Sequence, residues 1–373
     1  MTARLYLTER SIFYFIYMEK RVQELDVLRV LAMLFVITYH FGYEYAAAGL
    51  PFFNLFYLTP NYDFGNIAVT IFIALSGGLL YKKYGVIGGT DNAKEQFKTF
   101  YAKRIKAIYP PFWILSLYIP LSMIRHLITD GNAFFLGSPF SLLLTVIGFD
   151  GYFKIFGVNT YAFCGDWFVG AIVLLYLLYP LLAKCYKELP IGTLLSLAIL
   201  YALQYALPVE YHSLLSALPA TLVFKFVIGF ALVENLERFR DRRTAVASGA
   251  AFVAITLVNI PGRVNADALG TFAAFALFVV VFYLAQHLLR LSAISKPFQK
   301  LATLSYCVFL VQHVGIIWAQ GAFIKIFEKL HWSFTQWNVA ALLACTLLAI
   351  MIAAWILKLV SDWATKRVSK FLS

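Results

Sequence analysis

Charged residues and long polar stretches are scarce in this sequence. Only 13% of its 373 residues are charged, where a soluble domain has about a quarter, and 61% are hydrophobic. The mean hydropathy is +0.76. No polar stretch is long enough to form a separate soluble domain. The composition excludes a soluble enzyme and predicts an all-α polytopic membrane protein, because helices satisfy their own backbone hydrogen bonds in lipid.

Cysteines and the common signatures of metal and nucleotide sites are also scarce or absent. The four cysteines are widely spaced and form no C-x-x-C pair, so we expect unpaired packing residues and no bound metal. The sequence has no Walker P-loop, no HExxH and no solenoid repeat. The segment ALSGG at 74–78 is one residue short of a nucleophile elbow, yet it lies within an apolar helix. We therefore interpret Ser76 and Gly77 as a close-packing site.

Ten apolar segments are each long enough to cross a bilayer, for which about 20 helical residues are needed. They comprise residues 26–46, 66–83, 105–128, 166–186, 190–207, 213–234, 244–260, 268–290, 301–324 and 338–360. Residues 1–23 contain only a short apolar run and are predicted to form a cytoplasmic interfacial segment. The membrane domain is predicted over 24–363 and a cytoplasmic tail over 364–373. The run 139–149 is shorter and is followed by Asp150, which indicates a re-entrant or surface element.

Basic residues divide unequally between the two sides of this arrangement. With the N-terminus inside, the inner segments hold 24 of the 31 lysines and arginines, and the outer loops hold five. This asymmetry follows the positive-inside rule and predicts that both termini are cytoplasmic. The net charge of +12 then reflects topology and contact with anionic lipid headgroups, and it indicates no nucleic-acid partner. We expect the chain to lie in the cytoplasmic (inner) membrane.

Two basic residues, Arg29 and His40, interrupt the first apolar segment eleven positions apart. On an α-helix this spacing puts both side chains within about 20° of one face, with His40 about 16 Å further along the axis. Ionisable groups at membrane depth are costly unless they face a cavity or a partner, so both are candidate functional residues. The alternative is that His40 is a packing histidine and that Arg29 is a boundary charge whose side chain snorkels.

A second basic cluster ends the inner loop 82–106, at the mouth of the third span. Lys103, Arg104 and Lys106 could bind the phosphates of a nucleotide, with tyrosine rings nearby for stacking. The same three residues could instead be charges that set the topology and contact lipid phosphate. The sequence alone leaves both interpretations open.

Four further polar residues lie at membrane depth or at the end of a span. Lys225 is mid-span and should face the interior or snorkel inward. His313, beside Gln312, could form an interhelical hydrogen bond or take part in catalysis. Asp166 and Trp167 stand at the outer end of the fourth span, where they could contact a sugar acceptor, although tryptophan is also a common interface anchor.

Five pairs of short motifs occur in order along nearly the whole chain. They are LDVLR at 25–29 with YHF at 39–41, FG at 64–65 with LSG at 75–77, KRI at 103–105 with IYP at 108–110, DWF at 166–168 with YLLYP at 176–180, and SY at 305–306 with FLVQH at 309–313. Together they resemble the membrane acyltransferase 3 family, the integral-membrane acyltransferases that modify cell-surface glycans.

The resemblance implies an O-acyltransferase that moves an acyl group, most simply acetyl, from cytosolic acyl-CoA to a hydroxyl on the other side of the membrane. The acceptor would be a cell-envelope or exported polysaccharide or its lipid-linked precursor, and acetyl-CoA would be a co-substrate, with no cofactor bound. The family's paired Arg and His correspond to Arg29 and His40. Its two-arginine motif corresponds to Arg104 and Ala107, so the second arginine is absent. Lys103, on the same helix face as Ala107, could supply that charge.

Acyl transfer from a thioester needs a base that removes the proton of the acceptor hydroxyl, and histidine, with an unperturbed pKa of about 6.5, suits this role. We expect His40 to be the general base and Arg29 to hold polar groups of CoA or to orient the thioester. The basic cluster at 103–106 would bind acyl-CoA. Asp26 could pair with Arg29, or it could be a helix N-terminal charge that the dipole favours.

Two other interpretations stay open on the sequence. The same residues could acylate a small molecule, or the buried cations could line the path of a transporter or sensor. The chain shows no inverted repeat and no pair of broken helices, which are features typical of transporters. Consumption of acetyl-CoA by the purified protein would distinguish an enzyme from a transporter.

Overall fold

The computed structural model describes residues 21–51, 59, 61–89, 92–165, 167–257, 265–290 and 292–371. These residues form thirteen α-helices, joined by 3₁₀ turns and loops, and no strand. The helices are α1 (Glu24–Ala47), α2 (Phe64–Tyr84), α3 (Ala93–Ser116), α4 (Tyr118–Asp130), α5 (Ser141–Ile147), α6 (Asp150–Lys154), α7 (Phe168–Glu188), α8 (Pro190–Leu203), α9 (Pro219–Glu234), α10 (Arg242–Leu257), α11 (Ala266–Leu288), α12 (Ser292–Lys329) and α13 (Gln336–Phe371). The all-α fold predicted from the sequence is confirmed.

Eight helical stretches within the described part of the chain are long and apolar enough to cross a membrane. They run over Glu24–Ala47, Phe64–Tyr84, Ala93–Asp130, Phe168–Glu188, Glu210–Glu234, Ala266–Leu288, Ala293–Lys329 and Gln336–Arg367. The other two predicted spans, 190–207 and 244–260, coincide with α8 and α10, which have 14 and 16 residues. A polytopic helical membrane protein is therefore confirmed. Ten spans and cytoplasmic termini stay predictions.

The structure describes only part of each predicted terminal segment. Residues 1–20 of the predicted interfacial segment lie outside the described residues, and Arg21 stands just before α1. At the other end, α13 continues from Gln336 to Phe371, so the predicted start of the tail at residue 364 falls inside one helix. The predicted boundaries stay predictions.

The apolar run 139–149 forms α5, a helix of seven residues that is too short to span a bilayer. Side chains of α3 donate hydrogen bonds to its last carbonyl groups. The Tyr109 hydroxyl lies 2.8 Å from the Ile147 carbonyl oxygen, and the Trp113 indole nitrogen lies 2.9 Å from that of Val146. These bonds satisfy helix-end carbonyls that would find no partner in lipid. Aromatic side chains on α3 therefore stabilise a short helix beside the spans.

The central helix α2 packs against α9 at close backbone distance. A Cβ atom on Gly77 would lie 2.2 Å from the Phe226 carbonyl oxygen, and one on Gly229 would lie 2.0 Å from a carbonyl oxygen of α2. Only glycine permits this approach, and small residues at helix interfaces are typical of membrane proteins. The neighbouring Ser76 hydroxyl lies 2.8 Å from the Tyr176 hydroxyl on α7. The prediction that Ser76 and Gly77 form a close-packing site is confirmed.

Candidate active site

A cationic cavity of about 350 Å³ lies between α1, α2, α3, α7 and α12. Its basic lining residues are Arg29 on α1, Lys83 on α2 and Arg104 on α3. Most of the remaining wall is apolar or aromatic, with hydroxyl groups from Ser76, Tyr176, Ser305 and Tyr306. We call it the inner cavity, because its cations lie toward the helix ends that the predicted topology places on the cytoplasmic side.

Arg29 extends into the inner cavity from a cluster of charges at the start of α1. Asp26 is only 4% exposed, and its Oδ1 lies 3.7 Å from Nη1 of Arg29. Arg21 makes a closer bidentate contact with the same carboxylate, at 2.7 Å from Nε and 2.9 Å from Nη2. One carboxylate therefore pairs with two guanidinium groups, and this cluster of three charged groups carries a net positive charge. The role of Arg21 was not predicted, because this residue was assigned to the interfacial segment.

The basic cluster on α3 divides between the inner cavity and the protein surface. The guanidinium carbon of Arg104 lies 5.6 Å from the ring centre of Tyr176 and 5.8 Å from that of Tyr84. Its buried Nε has no hydrogen-bond partner among the described residues, so it can donate to a bound anion. Lys103 and Lys106 are exposed and do not line the inner cavity.

Ala107, which corresponds to the second arginine of the family motif, lines the inner cavity. The sequence left open whether Lys103 supplies the missing charge. The third cation in the cavity wall, beside Arg29 and Arg104, is Lys83. This lysine belongs to the last turn of α2. It was missed because the sequence interpretation treated it only as a topology charge at the end of a span.

A second cavity of about 400 Å³ lies further along α1. His40 lines it from α1 and Trp167 lines it from the residue before α7. Asp63, Asn66 and further hydroxyl and amide groups make this wall strongly polar. Burial raises the pKa of the Asp63 carboxyl above its ordinary value. We call it the outer cavity; Asp166, predicted for the same side, lies outside the described residues.

Phenylalanine rings separate the inner cavity from the outer cavity. Phe168 on α7 and Phe309 on α12 line both cavities, and their ring centres are 4.5 Å apart. Phe72 on α2 lies edge-on to Phe168, with ring centres 6.2 Å apart. We call these three residues the aromatic layer. Arg29 and His40 therefore lie on opposite sides of one layer, each facing a cavity that the same two rings line.

The His40 ring contacts a second histidine, His313, on α12. The two imidazoles meet edge to face with ring centres 5.1 Å apart. Nε2 of His313 also lies 3.7 Å from a carboxylate oxygen of Glu44, one turn beyond His40 on α1. Gln320 on α12 donates a hydrogen bond of 2.8 Å to the backbone carbonyl of Glu44. His313 thus links α12 to α1 and touches the predicted base; Glu44 was not predicted.

Lys225 is fully buried on α9 and faces the interior. Its Nζ lies 3.2 Å from Oδ1 of Asp267 and 3.3 Å from Oδ1 of Asn66, and all three residues line the outer cavity. Asp267 also accepts hydrogen bonds from the hydroxyls of Tyr201, at 2.9 Å, and Tyr205, at 3.2 Å. These partners offset the cost of burying two charges. Asp267 was missed because it directly precedes the predicted span that starts at residue 268.

Comparison with known families decides what kind of protein contains these two cavities. The family model described as an acyltransferase domain matches residues 22–359, which include the lining of both cavities. The chain belongs to the membrane acyltransferase 3 family. No curated protein and no solved structure matches it.

The residues of this membrane acyltransferase form two compartments of different chemistry. The inner cavity joins three cations to apolar and aromatic walls, and the outer cavity joins His40 to carboxylates, amides and a tryptophan. The first suits an anionic ligand with an apolar arm, and the second suits a ligand with many hydroxyl groups. Among the described residues, no group of three or more His, Cys, Asp and Glu could hold a metal ion.

Proposed function

We propose that this acyltransferase moves an acyl group, most simply acetyl, from cytosolic acyl-CoA to a hydroxyl of a cell-envelope or exported polysaccharide or its lipid-linked precursor. It would act in the cytoplasmic membrane. One observation supports the proposal above the others: a cationic cavity and a polar cavity that contains His40 adjoin at the aromatic layer. The choice of donor and acceptor comes from the family resemblance, and the chemistry of the two cavities is compatible with both.

The inner cavity suits acyl-CoA because this donor combines phosphates with a less polar arm that ends in a thioester. Arg29, Lys83 and Arg104 can form charge-assisted hydrogen bonds with phosphate oxygens, each about twice as strong as a neutral one. Lys103 and Lys106 are exposed beside Arg104 on α3, where they can contact phosphates that remain outside the cavity. Acyl-CoA is a co-substrate in this scheme, and no resident cofactor is required.

His40 is the proposed general base. It takes the proton of the acceptor hydroxyl as the hydroxyl oxygen attacks the carbonyl carbon of the thioester. A C–O bond forms, the C–S bond breaks with its electron pair on sulfur, and the CoA thiolate receives the proton from the imidazolium. The contact of His40 with His313, which itself reaches Glu44, would hold the His40 ring in place.

Arg29 has a different role, because it lies about 16 Å from His40 along the axis of α1. The two side chains cannot both touch one carbonyl group. Arg29 therefore binds polar groups of CoA, and the long pantetheine arm brings the thioester to the level of His40. This division favours the first of the two roles that the sequence left open for Arg29. Asp26 and Arg21 position its guanidinium.

The outer cavity suits a carbohydrate acceptor. The ring of Trp167 offers an apolar face on which a sugar can stack, and Asp63 and Asn66 offer acceptors and donors for hydroxyl groups. The buried pair of Lys225 and Asp267 adds fixed polar groups to the same wall. A volume of about 400 Å³ admits a small sugar unit and not a folded polymer. Asp166 joins this set on its sequence position beside Trp167.

The experiment that tests this function uses the purified full chain in detergent, acetyl-CoA and an extract of envelope glycans from producing cells. Release of the CoA thiol and the glycan mass are both measured. His40→Ala should lose transfer by about 10²–10⁴-fold, the usual contribution of a general base. Arg29→Ala should raise the acetyl-CoA concentration at half-saturation. His287→Ala, which removes an exposed histidine, is the matched control and should retain activity.

The outcomes separate the alternatives. Full activity of His40→Ala would exclude its role as the base. Thioester consumption with acetyl on a small molecule and none on glycan would favour the small-molecule acceptor. No consumption of acetyl-CoA by the unaltered chain would contradict the proposed donor and favour transport or sensing.

A further inference from the structure

The aromatic layer occupies the boundary at which the proposed acyl transfer has to occur. Phe168 and Phe309 are each 7% exposed, and their ring centres are 4.5 Å apart, so the two rings are in contact. Phe309 is one turn before His313 on α12, the residue that contacts His40. The layer therefore lies beside the proposed base, at the boundary between the two cavities.

The chemistry of the proposed function places the acyl group against this layer. The base and the attacked carbonyl carbon must be within reach of one hydroxyl group, so the carbonyl has to pass from the inner cavity to the level of His40. CoA cannot follow, because its phosphates bind the cations of the inner cavity. The carbon chain of the acyl group must then lie among the rings of Phe72, Phe168 and Phe309.

We propose that the aromatic layer, and Phe309 in particular, selects the length of the acyl group that this enzyme transfers. A two-carbon acyl group requires the smallest displacement of the rings. A longer chain has to displace a ring that is already packed against its neighbours, and dense packing resists such displacement. This inference rests on the proposed function, because it concerns the same thioester and the same base.

Phe309 is the most informative position in the layer. It lines both cavities, as Phe168 does, but Phe168 directly follows Trp167, which belongs to the proposed acceptor side. Phe72 lines only the inner cavity. A change at Phe309 alters the layer without removing any of the cations, carboxylates or histidines assigned to donor binding, acceptor binding or proton transfer.

The test measures release of CoA thiol from acetyl-, propionyl- and butyryl-CoA by the purified full chain with the envelope extract. Discrimination by an apolar pocket is about 10–200-fold per methylene, so the unaltered chain should prefer acetyl over propionyl by at least about 10-fold. Phe309→Ala should lower this ratio by about 10-fold or more, and Phe309→Trp should raise it. Phe272→Ala, which removes a ring that is 49% exposed on α11, is the matched control and should leave the ratio unchanged.

Two results would overturn the inference, and only one of them would also overturn the proposed function. An unchanged acyl preference in Phe309→Ala, with acetyl transfer retained, removes the length selection and leaves the proposed function intact. Absence of thioester consumption by the unaltered chain removes the proposed function and the inference together. If Phe309→Ala does not fold, Phe309→Leu is tested instead, because it keeps most of the side-chain volume. It should lower the preference for acetyl over propionyl by a smaller factor, and an unchanged preference would overturn the inference.

Discussion

Ionisable side chains at membrane depth show how far single residues could be predicted in this acyltransferase. The cost of a charge in lipid singles out Arg29, His40 and Lys225 from the sequence alone. Asp26 could also be proposed as a partner of Arg29, because it is three residues away on the same helix, but the partner of Lys225 could not be found in this way. Asp267 pairs with Lys225 from another helix, and 42 residues separate them in the chain. A one-dimensional pattern reports that a partner is needed, and only the fold selects which residue it is.

The buried pair of Lys225 and Asp267 gives a prediction on stability. Lys225→Met removes one partner and leaves a buried carboxylate without its cation, which should cost about 3–5 kcal/mol. Thermal unfolding in detergent, followed by tryptophan fluorescence, should show a clearly lower midpoint. The double variant Lys225→Met with Asp267→Asn should recover most of the loss, because no unpaired charge remains.

The control for this prediction is an exposed ion pair outside the predicted spans. Lys98 and Glu95 lie 3.9 Å apart on α3, before the third predicted span, with side chains 76% and 70% exposed. Lys98→Met should cost about 1 kcal/mol or less, because both charges are solvated in the folded and the unfolded state. Equal losses in Lys225→Met and Lys98→Met would contradict the view that burial makes the first pair important.

The missing second arginine gives a prediction on donor binding. Ala107 lines the inner cavity whereas Lys103 is exposed outside it. Ala107→Arg should add a charge-assisted hydrogen bond to a phosphate oxygen, worth about 1.5–3 kcal/mol, and lower the dissociation constant of acetyl-CoA by about 10-fold or more. Titration of the purified chain with acetyl-CoA measures this constant. Lys103→Arg, the control, should change it little, and the reverse order would show that the donor binds elsewhere.

At the scale of helices, the sequence predicted position better than length. All ten apolar segments lie on helices, because hydrophobic runs set where helices lie in lipid. The third segment is divided between α3 and α4, and the sixth begins in a 3₁₀ turn before α9. The helices around the inner loop extend further than predicted: the third predicted span starts at residue 105, whereas α3 begins at Ala93. Hydropathy marks only the part of a helix that contacts lipid, so polar turns beyond the membrane are not detected.

Close packing between α2 and α9 gives a prediction at this scale. A Cβ atom on Gly229 would lie 2.0 Å from a backbone carbonyl oxygen of α2, so Gly229→Ala must push the two helices apart. We expect a lower thermal midpoint and weaker acyl transfer, because α2 contributes Lys83 and Phe72 to the inner cavity. Thermal unfolding and thiol release measure the two effects.

A glycine on another helix provides the matched control. A Cβ atom on Gly249 of α10 would meet only a side-chain atom at 3.7 Å, an ordinary contact distance. Gly249→Ala should be neutral or should stabilise by about 0.5–1 kcal/mol, because alanine favours the helix. A neutral Gly229→Ala would show that the interface of α2 and α9 can relax.

At the scale of the whole molecule, the sequence predicted a membrane acyltransferase but not its two compartments. The Arg29 and His40 spacing indicated one functional face on α1. It could not show that Phe168 and Phe309, from helices far apart in sequence, divide this face into two cavities. Cavities form from gaps between helices, and no single segment contains the information that defines them.

The charge asymmetry gives a prediction on topology. Reporter domains fused after Ser373 and before Met1 should both lie in the cytoplasm, because the inner segments hold 24 of the 31 basic residues. A fluorescent protein that folds only in the cytoplasm should be bright at either end, and alkaline phosphatase, which needs an oxidising compartment, should be inactive. Active phosphatase at one end would mean an odd number of spans.

The central claim is that an acyl group passes from the inner cavity across the aromatic layer to a hydroxyl in the outer cavity with His40 as the base. The most direct measurement uses sealed, inside-out membrane vesicles from producing cells, with radiolabelled acetyl-CoA added to the exposed cytoplasmic face. Vesicles with the unaltered chain should accumulate labelled glycan in the lumen, and vesicles with His40→Ala should accumulate none above background. Equal luminal labelling in both would contradict the account.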